Sequence, residues 1–299
     1  MKENTKGDFE LDLKEIYSIL WSKKLFIGLT MSIFVLVSII YSRSLPNIYT
    51  SNALLAPTNT NNSPISTQLG QYSSLAGMAG INIPAETGNP SIEAIARIKS
   101  YDFFLAHFLP NIKPENLLAV KEWDKQKNKL IYDVNIFNPV SNKWIDDDMT
   151  SSQDAYSEYK KIISIVENNK SSFVSISIEH KSPFIAKRWL EIIIRNINES
   201  MRNENKNIAI SSIEFLNSTL ETTNNKEIRD AISQLLQSQM QNLMLASASE
   251  SYVYKILDSP FAPERKSSPN RSFIVVFAAL IGFFTGVFLC LVAHYKNET

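Results

Sequence analysis

Two stretches of this 299-residue chain are free of Asp, Glu, Lys and Arg, and they lie near its two ends: Leu25–Tyr41 and Phe273–Tyr295. The second reads FIVVFAALIGFFTGVFLCLVAHY and has the length of about 20 residues that an α-helix needs to cross hydrocarbon. A core helix of that length would show a polar face, so residues 273–295 are read as a membrane span. The first block, LFIGLTMSIFVLVSIIY, is near the lower limit of roughly 17 residues. Trp21, Lys23 and Lys24 on one side and Tyr41 with Arg43 on the other supply aromatic and cationic anchors, and residues 25–42 are read as a second span. A cleaved signal peptide is the rival reading, because Ser42 and Ser44 are small residues near its end. The preceding segment is long and carries Glu3, Asp8, Glu10, Asp12 and Glu15, where a signal peptide would be short and basic. The uncleaved anchor is therefore preferred.

Two spans put both termini on one side. The lysines beside the terminal ends of the spans favour the cytoplasm for residues 1–24 and 296–299, although a domain as long as 43–272 crosses largely regardless of such counts. The four-residue tail 296–299 leads to the expectation that no cytoplasmic output domain follows. The net charge is zero, and the domain 43–272 alone balances 24 Lys and Arg against 24 Asp and Glu. That balance suits a periplasm and argues against a nucleic-acid partner or an acidic disordered chain. Cys290 is the lone cysteine, so no internal disulfide is expected.

Periodicity organises the domain. Ile48–Leu55 reads as a strand closed by Pro57, and Asn59–Pro90 as a polar, small-residue loop in which Gly77 and Gly80 mark a mobile stretch or a short packed turn. Pro90 opens a helix with Ser91 as its expected cap, and apolar spacing carries it through Ile92, Ile95 and Ile98 toward Phe108. A strand is expected around Leu130–Phe137, an amphipathic helix over Ser151–Asn169 and a half-buried strand over Ser172–Glu179. Ser182-Pro183 then caps a long helix whose stripe is Phe184, Trp189, Ile193, Ile197 and Met201. Thr222–Asn225 is the expected turn into a second helix, Lys226–Ser251, which makes 182–251 a long helical region. The first helix alone would reach about 60 Å, so its stripe needs cover from the second helix or from a neighbouring subunit. The residues Trp189, Ile193, Ile197 and Met201 are thus expected in helix packing or oligomer contact. Tyr252–Leu257 returns as a strand, and Ser259–Pro269 is a proline-rich linker. The fold class is α+β, two transmembrane helices bracketing a base domain with a long helical protrusion.

Catalytic patterns are absent. No G-x-x-x-x-G-K-[ST], G-x-G-x-x-G or G-x-S-x-G occurs. Asp146–Asp148 is read as an acidic turn rather than a glycosidase or metal site, and His180 as an edge residue rather than a base. The one motif with a mechanism is Gly282-Phe283-Phe284-Thr285-Gly286, a G-x-x-x-G that lets helix backbones approach closely in lipid. Gly28 is the candidate facing residue if the spans pack within one subunit. Chance and an intersubunit contact are the other readings.

These pieces resemble the chain-length determinant proteins (Wzz-like polysaccharide co-polymerases) of bacterial surface glycans. Phe9–Lys24 (FELDLKEIYSILWSKK) looks like the family's opening, Ile48–Pro57 and Ser74–Gly80 like its first strand and loop, and Ala94–Phe108 like its first helix. Ser175–Asn198 is similar to its strand-into-long-helix segment. Asp258, Pro260, Pro263, Pro269, Asn270 and Arg271 stand where the family has its proline-rich approach to the second span, with Lys266 where a further proline is usual. The resemblance implies an inner-membrane protein of the kinase-less class with a periplasmic α/β base. It also implies a homo-oligomeric ring, no cofactor and no enzymatic activity. Its implied role is to set the length of a glycan, most simply O-antigen, made by a separate integral-membrane polymerase. The partners it implies are further copies of the chain, the polymerase and the lipid bilayer, with the growing glycan a candidate and its direct binding left open. The alternative is a structural adaptor for polysaccharide export, and a membrane-tethered glycan enzyme using Asp146–Asp148 is the third reading.

Overall fold

The computed structural model describes residues 20–58, 90–145, 151–168 and 170–298, with side chains described as far as His294. The acidic turn Asp146–Asp148, the glycines Gly77 and Gly80 and most of the Phe9–Lys24 opening lie outside the described residues. The described chain divides into two units. One holds the terminal segments to Ile48 and from Lys266, and the other is Tyr49–Arg265.

In the first unit, α1 (Lys24–Ser44) and α8 (Arg271–Glu298) pair along their length and are long and apolar enough to cross a membrane. Most of their large apolar side chains are exposed, as lipid-facing residues would be.

The second unit is a two-layer α/β base. Its sheet is antiparallel, in the order β6 (Ile163–Glu167), β7 (Val174–His180), β1 (Tyr49–Pro57), β8 (Tyr254–Asp258). The period-two alternation of β7 puts Val174, Ile176 and Ile178 on one buried face, joined by Ala53 and Leu55 of β1. Against this face packs the first half of α6 (Pro183–Thr222), with Pro183 at its first position, where a missing N–H costs nothing.

The amphipathic helix expected over Ser151–Asn169 is shorter. The structure has α5 (Ser152–Ile162), after which Ile163–Glu167 becomes β6. The β-branched run Ile163, Ile165, Val166 pairs with β7, and this tertiary pairing overrides the helical spacing. The strand expected around Leu130–Phe137 is two separate pieces: β3 (Lys129–Tyr132), which pairs with β2 (Val120–Asp124), and β4 (Phe137–Asn138), which pairs with β5 (Lys143–Trp144).

Ser91 is the second residue of α2 (Pro90–Ile98), with its hydroxyl 3.1 Å from the Tyr254 hydroxyl. The helix continues through a short turn (Tyr101–Phe103, α3) into a π-helical turn, Phe104–Phe108, which sets Phe104 and Phe108 against Tyr159 and leads on to α4 (Pro114–Leu118). The carbonyl of His107 in that turn accepts side-chain bonds from Asn196 and Asn111. Beyond the base, α6 turns at Thr223–Asn225 into α7 (Lys226–Ala248), whose first N–H groups are capped by Asn225.

Candidate functional site: the helix seam, the exit junction and the base of the long helix

The residues singled out in the sequence fall at three places. The first is the α1–α8 seam. A Cβ placed on Gly282 would lie 2.9 Å from Phe34 Cβ and 3.0 Å from the Met31 backbone, and one on Gly286 would overlap Thr30 Oγ1. Both glycines therefore face α1, and Thr30 Oγ1 lies 3.4 Å from the Gly282 carbonyl, with its closer acceptor the Ile27 carbonyl at 2.9 Å. Small residues spaced by four allow this approach because they share one helix face. Gly28 does not face α8. Nothing lies within 4 Å of where its Cβ would be, and the residues opposite Gly282 and Gly286 are Ile27, Thr30, Met31 and Phe34. The expectation for Gly28 is corrected for a simple reason: it lies one residue away from Ile27, about 100° around the helix.

The second place is the junction below the seam. Ile48 and Ser268 form a two-sided backbone bridge, with N–H···O distances of 2.9 and 2.8 Å to Ser268 and from Ser267. Arg271, the first residue of α8, donates to the Leu45 carbonyl at 3.4 Å and to Asn47 Oδ1 at 3.2 Å. A guanidinium at the C-terminus of α1 meets carbonyls that have no partner within the helix. Pro269 is half-buried here, and Lys266 donates to its carbonyl at 3.1 Å. The earlier part of the linker belongs to the base. Asp258 ends β8 opposite Leu54 and is exposed, Pro260 is buried and Pro263 half-buried, while Ser51 donates to the Phe261 carbonyl at 2.8 Å.

The third place is the base of α6. Trp189, Ile193, Ile197 and Met201 are all buried in the core of their own unit. Of the two roles offered by the sequence, the structure gives them helix packing within the subunit. Phe184 is not part of this stripe. It is half exposed and meets the edge of Trp123.

His180 is buried, not at an edge. The Ser182 N–H donates to Nδ1 at 2.9 Å, so Nε2 carries the proton and donates to the Asn116 carbonyl at 2.9 Å. Burial, partly offset by the bond to the Asn116 carbonyl and reinforced by the neighbouring Lys181, lowers its pKa to about 4. Burial likewise pushes the Tyr254 hydroxyl up to about 12.

Sequence reasoning missed Asn198. It lies on the apolar face of α6, donates to the carbonyls of Ile194 and Tyr254, and accepts from the N–H groups of Val253 and Tyr254 at 2.8 and 2.9 Å. An asparagine next to Ile197 and in helical spacing with Ile194 and Met201 was the available signal. Among the described residues no three His, Cys, Asp or Glu side chains are grouped as metal ligands.

No curated protein matches the chain. Among solved structures, a full-length bacterial polysaccharide co-polymerase is similar at 14% identity, covering 96% of this chain and 99% of that one, with a TM-score of 0.43. A fragment of the polysaccharide co-polymerase WzzB from Salmonella Typhimurium is similar at 16% identity, covering 74% of this chain and all of the fragment, with a TM-score of 0.31. The family model for the Wzz chain length determinant protein matches residues 9–100, which hold the first candidate span, β1 and α2. Over that segment the chain carries the signature of the Wzz chain length determinant family, the family its sequence resembles.

Proposed function

We propose that this protein is a non-enzymatic regulator of surface-polysaccharide chain length, acting as a homo-oligomer beside a separate membrane polymerase. The observation that carries the reading is the chain length determinant match over residues 9–100. Its finer parts extend the same proposal: an inner-membrane location, both termini in the cytoplasm, the Tyr49–Arg265 unit in the periplasm, and O-antigen as the glycan. Two apolar helices near the ends of the chain, tied where Arg271 reaches Leu45 and Asn47, suit a domain held close to a membrane by both of its ends.

Deleting the gene tests the function. A modal lipopolysaccharide ladder should collapse into an unregulated distribution, and an unchanged ladder would refute the reading. Loss of surface polysaccharide with intact chains inside the cell would instead favour the export-adaptor alternative. Reporter fusions at each terminus check the orientation, with a reporter active only in the periplasm expected to stay silent at both.

A further inference from the structure

An open cleft of ≈ 480 Å3 lies in the base, between α6 and the segment from Glu250 to Pro260. Its size falls within the roughly 300–1,000 Å3 of small-molecule sites. The floor is closed and already satisfied. Asn198 spends its side chain on four backbone partners, and the Tyr254 hydroxyl donates to the Ser91 carbonyl at 2.8 Å.

The walls differ from the floor. Glu191, Arg195, Glu199 and Arg202 follow one another along α6 at spacings of four, four and three, and Glu250 lines the cleft from the segment just past α7. Among the described residues, Arg195, Glu199, Arg202 and Glu250 have no ion pair within 4 Å, and Glu191 has only Lys187 at 3.7 Å. The Arg202 Nε is buried without a hydrogen-bond partner, a costly state for part of a charged group.

This lining selects a ligand class. An anion would meet three carboxylates, and a cation would meet two guanidiniums. A neutral polyhydroxylated ligand suits both signs, because each hydroxyl donates to a carboxylate or accepts from a guanidinium. Ile194, Ile256 and Pro260 add apolar surface for the C–H faces of a sugar ring. We propose that this cleft is a saccharide subsite that holds a short stretch of the glycan against the base of α6. The chain-length reading supplies the identity of that glycan, and the chemistry of the cleft supplies the class.

The test uses the full chain in detergent, titrated with delipidated polysaccharide released by mild acid from the surface of the host cells. Wild-type protein should bind, and the double variant Arg195→Gln/Glu250→Gln should bind about tenfold more weakly or worse. Both side chains are exposed, so thermal stability and particle mass should not change. Arg202→Gln provides a second variant that loses the buried Nε, with the same expected weakening. Absence of binding by wild type, or equal affinity in both variants, overturns the subsite. A changed particle mass with unaltered affinity also overturns it, because the cleft would then be a contact between copies. Failure of the chain-length reading would look different: glycan binding that depends on the cleft would persist, while gene deletion leaves the ladder intact.

Discussion

The two halves of α6 are one continuous helix in two environments. From Pro183 to Met201 its core-facing side chains are sealed under the sheet and the π-helical turn, with Trp189, Leu190, Ile193, Ile197 and Met201 all buried and Phe184 left half exposed. Past Asn205, whose side chain still reaches the Tyr252 hydroxyl, the main cover is α7, which at 23 residues spans little more than half of a 40-residue helix. There the buried apolar residues shrink to Ala209, Leu216, Ile232, Leu235 and Ala246, while Ile208, Phe215, Met240 and Met244 are exposed. A two-helix hairpin can bury only one stripe of each helix, whereas a sheet and two helical turns cover much more of it. The near half is therefore expected to carry the stability of the unit, and the far half to offer surface.

The largest effect should come from emptying the near half. Trp189→Ala removes a buried ring that meets Phe108 and His180 edge-on and should cost about 3–5 kcal/mol, read by chemical denaturation. A cost under about 1 kcal/mol would mean that the base does not depend on this packing. Next comes acid. His180 is neutral in the fold down to about pH 4, against an ordinary pKa of 6.5, so between these values the unfolded chain binds a proton that the folded chain does not. Stability then falls as the pH falls through that window and is unaffected by this group above it, for a total of up to about 3 kcal/mol. Comparing the Tm of wild type and His180→Gln at pH 7 and pH 4.5 isolates the effect. Parallel pH slopes in the two proteins would remove His180 as its source.

In the far half, Leu235→Ala should cost about 2 kcal/mol, at the low end for a buried leucine because a thin seam collapses easily. Amide exchange locates the loss. Protection should fall over residues 208–245 and hold in β1 and β7, and an equal fall in both would show that the hairpin and base unfold as one.

The contrast between the halves also explains how much was legible in the sequence. The stripe at Trp189, Ile193, Ile197 and Met201 was visible because burial inside a helix repeats every three or four residues. What covered it was not, since a stripe names a buried face but not its partner. Gly282 and Gly286 were legible as a close-approach face, yet the residues facing them depend on how two helices cross, and there Gly28 was the wrong choice. The Ile163–Glu167 segment read as helix because alternating and helical spacings overlap over five residues, and only the register with β7 decides between them. The cleft was least legible, because Arg195, Arg202 and Glu250 come together only when the end of α7 folds back beside α6.

The smallest expected change in stability is the one that sharpens the comparison most. Phe215 is 55% exposed on the far half of α6, although Leu216 beside it is buried in the seam. Replacing it with serine removes little that the folded subunit buries, so Phe215→Ser should shift stability by about 0.5 kcal/mol or less. A large aromatic side chain held out on a hairpin is a poor fit to water but a good fit to a neighbouring copy. If homo-oligomers form partly through the far half, the same variant should lower the mean particle mass in detergent, measured by light scattering, while Tm barely moves. A drop in Tm of many degrees would place Phe215 in the subunit's own packing. An unchanged particle mass would move the assembly surface away from this face of the hairpin.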